Sequence, residues 1–300
     1  MRDVAYAAFF LCSLIWGSTF LFIRIGNESV PPLWAATIRL VLAAAALAAL
    51  AFATRRRWPR GEALRGAALF GLLNFGLNLS LLYWGELTVP SGIAAVFYAT
   101  VPLWTALLAA LFGLERLAPR KLAAALVALA GVATIFAGEL SLDVPLAGLL
   151  AILGAAMSAS LSSVILKASP KQDTLPLNAV GAVVGAPVCL ALSVVLGEPR
   201  AIPTAAAAWI PIAYLVIAGS LGAYVLFTWL LKVWPATNAS YVGVVVPVIA
   251  VILGALVRAE RPAPLTFVGA AIVIGAVVYA LASSEAAARR REAQPPRAAG

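Results

Sequence analysis

The chain of 300 residues is much more apolar than a soluble protein: 63% of its residues are hydrophobic, 11% are charged, and the mean hydropathy is +1.01. Soluble domains carry about a quarter charged residues, so a globular protein in water is excluded. The apolar runs are continuous rather than alternating, which excludes a membrane-spanning β-barrel. Runs of about 20 apolar residues suit helices that cross a bilayer. The sequence therefore predicts an all-α polytopic membrane protein.

Ten apolar segments follow one another along the chain, and each is predicted to be a transmembrane helix. They cover residues 4–26, 33–53, 66–85, 91–113, 120–138, 145–167, 175–196, 209–230, 238–258 and 264–283. The first is longer than the core of a signal peptide and lacks a small-x-small cleavage site, so we expect it to be retained. The charged tail, residues 285–300, is predicted to be disordered and cytoplasmic. Cys12 and Cys189 lie within predicted helices and are expected to be small packing residues rather than a disulfide pair.

The basic residues predict the orientation of the chain. If both termini lie on one side, sixteen of the 21 Lys and Arg residues fall in loops and tails on that side, and three fall on the other. Cytoplasmic loops carry such an excess, so both termini are expected in the cytoplasm. The net charge of +9 therefore reflects topology, and we predict a lipid bilayer rather than nucleic acid as the partner.

The two halves of the sequence are related. Residues 89–132 align without gaps over residues 234–277, at a separation of 145 residues. The coinciding residues include Pro90 with Pro235, Pro102 with Pro247, Pro119 with Pro264, and Glu115–Arg116 with Glu260–Arg261. Each copy contains five predicted helices, an odd number, so the second copy must cross the membrane in the opposite direction. Inverted repeats are a construction of secondary transporters. We predict one repeat in residues 1–140 and a second, inverted repeat in residues 141–284.

Prolines at equivalent places in the two halves predict interrupted helices. Pro102 and Pro247 stand in the middle of the fourth and ninth segments. Each removes a backbone hydrogen bond and bends its helix, and paired interruptions of this kind mark transporter binding sites. The predicted hinge or kink residues are Pro102, Pro247 and Gly17, which follows Trp16 in the first segment.

Polar and aromatic side chains deep in the predicted helices are the candidates for substrate binding. Lipid cannot satisfy amides, and rings beside polar groups suit an amphipathic solute with a flat apolar part. Alternatively, small hydroxyls only pack helices, and some Trp and Tyr residues belong to interfacial belts. The candidates are Trp16, Ser18, Asn74, Asn78, Tyr83, Tyr98, Trp104, Ser160, Tyr224, Ser240 and Tyr241.

Charged residues within the predicted helices are few. Arg39 lies roughly 9 Å inside the second helix, where it must face protein or water, either to cap carbonyls or to attract a carboxylate. The sequence has no histidine, and the nearest candidate for an intramembrane proton carrier is Glu86, at the outer end of the third helix. Facilitated diffusion is therefore favoured over proton antiport.

Catalytic motifs are missing from the sequence. It contains no GxxxxGK[ST] phosphate loop, no HExxH and no GxSxG. We therefore predict that the protein is not an enzyme, with no catalytic residue, no cofactor and no metal.

The segments IWGSTFLFIRIG, IRLVLAA and VFYATVPLWTALLAALFGLERLAPRKLAAALVALAGV resemble the EamA branch of the drug/metabolite transporter superfamily, and the resemblance covers residues 4–283. Within that branch the chain is most similar to bacterial YddG-type aromatic amino acid exporters. The resemblance implies two inverted five-helix repeats around a cavity lined mainly by the first, third, fourth, sixth, eighth and ninth helices. It also implies export of aromatic or neutral amino acids and related metabolites across the bacterial inner membrane by alternating access.

Alternatives stay open at this point. The substrate could be a drug-like cation, a polyamine or a nucleotide-sugar, although few deep charges are available to bind them. From another class, the chain could be a membrane scaffold or receptor that transports nothing. The oligomeric state is unknown, and the GAVVG segment at residues 181–185 is a candidate close-packing face within or between chains.

Overall fold

The structure is a computed structural model that describes residues 2–89, 91–137, 144–258 and 263–292, and these residues contain helices and loops but no strand. In chain order the helices are α1 (Arg2–Asn27), α2 (Pro32–Ala53), α3 (Glu62–Glu86), α4 (Ser91–Tyr98), α5 (Val101–Leu111), α6 (Pro119–Ile135), α7 (Leu146–Ala168), α8 (Thr174–Val195), α9 (Ala206–Val233), α10 (Ala236–Ser240), α11 (Val242–Arg258) and α12 (Pro264–Glu292).

The predicted polytopic helical architecture is confirmed. Every one of the ten predicted apolar segments is helical over most of its length. In the part of the chain that the structure describes, eight helical stretches are long and apolar enough to cross a membrane. The remaining two segments correspond to α1 and to the 17-residue α6.

The C-terminal helix is longer than predicted. α12 continues to Glu292, so residues 285–292 of the predicted disordered tail are helical. Alanine, glutamate and arginine fill this stretch, and all three are strong helix formers, which explains why the charged composition does not end the helix. The rest of the predicted tail, residues 293–300, lies outside the described residues, as do Pro90, Glu260 and Arg261 of the sequence repeat.

Two of the apolar segments are interrupted, but not both at the predicted residue. α4 ends at Tyr98, four residues before Pro102, whose ring would clash with the Tyr98 carbonyl in a continuous helix. In the second half the interruption falls at Tyr241, and Pro247 lies inside the continuous α11. Gly17 also lies inside a continuous helix, α1, and its role as a hinge stays a prediction.

The close contact of α1 and α11 explains the need for glycine at position 17. A Cβ atom there would lie 2.5 Å from Ile249 Cγ2 and 3.3 Å from the Val246 carbonyl oxygen. Glycine therefore lets α1 approach the part of α11 that surrounds Pro247. In lipid, where apolar surface gains nothing by association alone, such small residues set how closely helices pack.

The GAVVG segment is part of α8 and packs against α3 of the same chain. A Cβ atom on Gly71 would lie 2.3 Å from the Gly181 Cα atom, and one on Gly185 would lie 2.4 Å from Phe75 Cβ. The helix backbones therefore touch, and this face is occupied by α3.

The other extensive helix contacts join α2 to α8 and α6 to α12. In addition, α1 packs on α9 and α11, and α7 packs on α3 and α5.

Carboxylates tie the two halves of the chain together at two places. Glu115, in the loop after α5, accepts a hydrogen bond from the Thr237 amide at the start of α10 (3.1 Å) and lies 3.2 Å from Lys121 Nζ. Glu198, in the loop after α8, accepts from the amides of Leu33 and Trp34 at the start of α2 (3.1 and 2.9 Å). Each carboxylate thus satisfies free N–H groups at a helix N-terminus of the other half, where negative charge is favoured.

The Gly71–Gly181 contact leads to the first prediction. Gly71→Ala should lower the free energy of unfolding by about 1–3 kcal/mol, because the new methyl group meets backbone atoms that cannot rotate away. The matched control is Gly275→Ala, since nothing lies within 4 Å of a Cβ atom at Gly275. Thermal unfolding of both variants in detergent measures the difference. An unfolding midpoint of Gly71→Ala equal to that of the control would contradict the packing described for α3 and α8.

Candidate functional site

An aromatic cluster forms the apolar part of the candidate site, and we define it as Trp16, Phe75, Tyr224 and Phe227. The Trp16 ring lies 5.1 Å from the rings of both Tyr224 and Phe227, measured between centroids. Phe75 meets Tyr224 edge to face at 4.4 Å. Helices α1, α3 and α9 therefore contribute one continuous group of rings. Such pairs are worth about 0.5–1.5 kcal/mol beyond the area they bury.

An amide network adjoins the aromatic cluster, and we define it as Asn74, Asn78 and Tyr98. The Tyr98 hydroxyl donates to Asn78 Oδ1 across 3.1 Å. The Asn78 amide nitrogen donates to the Asn74 carbonyl oxygen at 3.1 Å and lies 3.3 Å from Asn74 Oδ1. Asn74 and Asn78 are buried, and Tyr98 is half-buried. The network joins α3 to α4 immediately before the interruption that precedes Pro102.

An arginine site lies near Tyr224, and we define it as Arg39, Tyr83 and Ser220. Arg39 projects from α2, is 4% exposed, and donates from Nε to Ser220 Oγ at 3.0 Å. The Tyr83 hydroxyl adjoins the guanidinium. Tyr224 lies within electrostatic range of Arg39, Tyr83 and Tyr98. The aromatic cluster, the amide network and the arginine site are therefore neighbours.

Two π-helical segments carry much of this site. They are Gly71–Asn78 within α3 and Leu215–Ala223 within α9. A π-helical segment widens the helix and disturbs its regular hydrogen bonds, and such segments occur often at functional sites. Side chains from other helices bond to the carbonyls in these segments: the Ser158 hydroxyl donates to Leu73 O at 2.9 Å, and Cys189 Sγ lies 3.5 Å from Phe75 O.

Ser18 bonds to a residue that the sequence did not single out. Its hydroxyl donates to the Ile15 carbonyl at 2.7 Å and also forms a hydrogen bond with the Tyr214 hydroxyl at 2.5 Å. The Tyr214 ring stacks on Phe22 with a centroid distance of 3.7 Å. Ser18 therefore links α1 to the residue of α9 that directly precedes the π-helical segment Leu215–Ala223.

Three predicted site residues have structural partners instead. Ser160 is fully buried and its hydroxyl lies within hydrogen-bond distance of two carbonyls, those of Val101 and Ala156 (3.0 and 2.8 Å). The Ser240 hydroxyl donates to the Thr237 carbonyl. Tyr241 is fully buried, and its hydroxyl donates to the Lys121 carbonyl in the first turn of α6 (2.9 Å). These hydroxyls donate to backbone carbonyls and keep their acceptor lone pairs, so substrate binding by these three residues stays a prediction.

Trp104 is half-buried in α5 and belongs to none of the three groups described. Sequence analysis missed Tyr214, Phe227 and Ser220. Only the last carried a usable signal, a hydroxyl beside Gly219 in the middle of an apolar segment. Its partner Arg39 is 181 residues away along the chain, so their contact could not be read from local patterns.

A helical membrane protein that gathers a buried arginine, amides and aromatic rings within its helices has the architecture of a small-molecule transporter. The model of the EamA-like transporter family matches residues 4–137 and 146–282. The chain belongs to this family.

Relatives of this chain are also transporters or exporters by name. The inner membrane transporter YedA of Escherichia coli (strain K12) is 34% identical over 284 residues, which make up 91% of this chain and 89% of that protein. The transporter YdfC of Bacillus subtilis (strain 168) is 29% identical over 266 residues, 88% of this chain and 87% of that one. A protein of Streptantibioticus cattleyicolor named "Probable terminal-alkyne amino-acid exporter" is 36% identical over 128 residues, 43% of each chain.

A solved crystal structure has the same fold. It superimposes with a TM-score of 0.74 at 20% sequence identity and covers 93% of this chain and 98% of the other. Together with the family match, these relatives confirm the resemblance inferred from the sequence, and they confirm that the protein is a transporter and not an enzyme.

The amide network leads to the second prediction. Tyr98→Phe should lower the free energy of unfolding by about 1–3 kcal/mol, because Asn78 Oδ1 loses its donor in a place that lipid cannot supply. Tyr279→Phe is the matched control, since the Tyr279 side chain is 52% exposed on the outside of α12. Unfolding in detergent compares the two variants. Equal stability of both would show that the Tyr98–Asn78 bond contributes nothing.

Proposed function

We propose that this transporter exports aromatic or other neutral amino acids and related small metabolites across the bacterial inner membrane. The observation that carries the proposal is the contact of three kinds of group: flat rings, neutral amides and one buried cation. A neutral amino acid with an aromatic side chain carries complementary parts, since its ring can pack in the aromatic cluster while its charged ends meet polar groups. The name of the Streptantibioticus cattleyicolor relative, an amino-acid exporter, supports the same substrate class.

Ten transmembrane helices in two inverted repeats are part of this proposal. The family model matches the chain twice, over residues 4–137 and 146–282. The π-helical segment Gly71–Asn78 would fall on residues 216–223 at the repeat separation of 145 residues, and the second segment is Leu215–Ala223. The contact of α1 with α11 likewise corresponds to that of α7 with α5. A repeat with an odd number of helices places these matching parts in opposite orientations.

Alternating access would follow from rocking of one repeat against the other. Glu115 and Glu198 each cap a helix of the other half, in loops that the predicted topology puts on opposite sides of the membrane. Breaking one of these contacts while the other holds would open one side only. Both termini would lie in the cytoplasm, as the distribution of Lys and Arg predicts, and the inner membrane location agrees with the name of YedA.

Transport is proposed to be facilitated diffusion. The site defined above contains a guanidinium, hydroxyls and amides but neither a carboxylate nor an imidazole, the side chains that commonly relay protons in pumps and transporters. Glu86, the last residue of α3, is half-buried and is the candidate that would have to carry a proton if transport were coupled.

Efflux from liposomes tests the function directly. Purified protein is reconstituted into liposomes loaded with tryptophan, phenylalanine, threonine, a drug-like cation or a nucleotide-sugar. We expect rapid efflux of the amino acids, unchanged by an imposed pH gradient. Efflux that depends on the gradient would preserve the substrate class and contradict facilitated diffusion. Absence of amino acid efflux from folded protein would contradict the proposed function, and flux of none of the solutes would favour a scaffold.

The aromatic cluster leads to the third prediction. Trp16→Ala should raise the apparent KM for tryptophan efflux by about tenfold, because the ring that packs against the substrate is lost. Trp84→Ala is the matched control, since the Trp84 side chain is 36% exposed and belongs to none of the three groups. Initial efflux rates over a range of tryptophan concentrations give the comparison. If both variants have the KM of the unchanged protein, Trp16 serves packing alone.

A further inference from the structure

Among the described residues, no carboxylate forms an ion pair with the buried guanidinium of Arg39. The ion pairs within the described ranges are Arg56 with Asp173 and Lys121 with Glu115, and neither includes Arg39. A charged side chain with 4% exposure in a membrane protein is costly unless it is paired or performs a function. Its guanidinium offers five N–H donors; the hydrogen bond to Ser220 uses one, and the adjoining Tyr83 hydroxyl accepts from another. Donor capacity and positive charge therefore remain for a ligand.

The surroundings of Arg39 leave room for its guanidinium and lead to a small cavity. Gly219 supplies the room, because a Cβ atom there would lie 2.9 Å from Arg39 Nη2. The cavity is lined by Arg39 together with Asn27, Tyr83 and Pro211, among others. Helices α1, α2, α3 and α9 all contribute to its wall. The side chains named here bring hydroxyl and amide groups but no carboxylate.

The residues around Arg39 lie close along the chain to members of the aromatic cluster. On α9, Ser220 lies four residues before Tyr224, within the π-helical segment Leu215–Ala223. On α1, Thr19 lies three residues after Trp16, and its methyl group lies 3.3 Å from a Cβ atom built on Gly219. The rings and the guanidinium are thus neighbours between α1 and α9.

We propose that Arg39 binds the carboxylate of the transported amino acid, while the aromatic cluster binds its side chain; this inference rests on the proposed function. Arginine presents two parallel N–H donors to a carboxylate, which gives a strong and directional interaction. Ser220 and Tyr83 hold the guanidinium in position. The site selects solutes with a free carboxylate over amides, esters and amines of the same shape.

The test compares tryptophan with tryptophan amide, which keeps the ring and the amine but has no carboxylate. The unchanged protein should transport tryptophan with an apparent affinity at least about tenfold better than that for the amide. Arg39→Gln should reduce this preference to within about twofold, mainly by lowering the apparent affinity for tryptophan. Arg39→Lys keeps the charge but not the paired donors, and it should recover part of the preference. Arg56→Gln, at an exposed ion pair, is the control that should retain the full preference.

Measurements on the unchanged protein keep the proposal testable if Arg39→Gln does not fold. Equal transport of tryptophan and its amide by the unchanged protein would overturn the role of Arg39 and leave amino acid export standing. A folded Arg39→Gln variant that keeps the full preference would also overturn it. Efflux of neither compound would contradict the proposed function itself, and the inference with it.

Discussion

Every polar group inside this protein must find a partner within the protein, because the surrounding hydrocarbon offers none and an unsatisfied group costs several kcal/mol. This requirement divides the intramembrane polar residues into two kinds. Ser160, Ser240 and Tyr241 bond to backbone carbonyls, and the bonds of Ser160 and Tyr241 also join different helices. Arg39 keeps donors that no described side chain uses, although it is buried as deeply as the others. A group that is costly to bury and still incompletely paired is where a transported solute can bind.

Close packing and local irregularity put these groups in reach of one another. Glycines bring α3 against α8 and α1 against α11 until backbone atoms touch, which fixes the helices that carry the site. The π-helical segments of α3 and α9 carry Asn78 and Ser220, whose side chains bond to Tyr98 of α4 and Arg39 of α2. The scaffold is thus tight where helices cross and irregular where polar side chains meet. Rigid helices joined by a few breakable contacts, such as those of Glu115 and Glu198, suit a movement of whole halves.

The helices could be predicted from the sequence, because a helix that crosses a bilayer needs a continuous run of about 20 apolar residues, and such runs are recognisable in the sequence. Tyr98, Asn78 and Trp16 were also identifiable, since amides and large rings are conspicuous within such segments. The partners were not predictable, because Arg39 meets Ser220 only through the packing of α2 on α9. Proline position was an incomplete guide as well: the second interruption falls at Tyr241, whereas Pro247 is accommodated within α11. A hydroxyl that bonds to a backbone carbonyl and a hydroxyl that binds a solute cannot be distinguished by their positions in the sequence.

The central claim, that inverted halves alternate around this site, is tested most directly by distances at both ends of the molecule. Cys12 and Cys189 are first replaced, and nitroxide labels are then placed at Leu111 and Val233 in one sample and at Leu256 and Thr88 in a second. The two pairs correspond by the repeat, since Leu256 lies 145 residues after Leu111 and Val233 lies 145 residues after Thr88. All four residues are exposed. Double electron–electron resonance is recorded in lipid nanodiscs with and without tryptophan. The proposal predicts that one distance shortens while the other lengthens. Two distances that stay constant, or that change in the same direction, would contradict it.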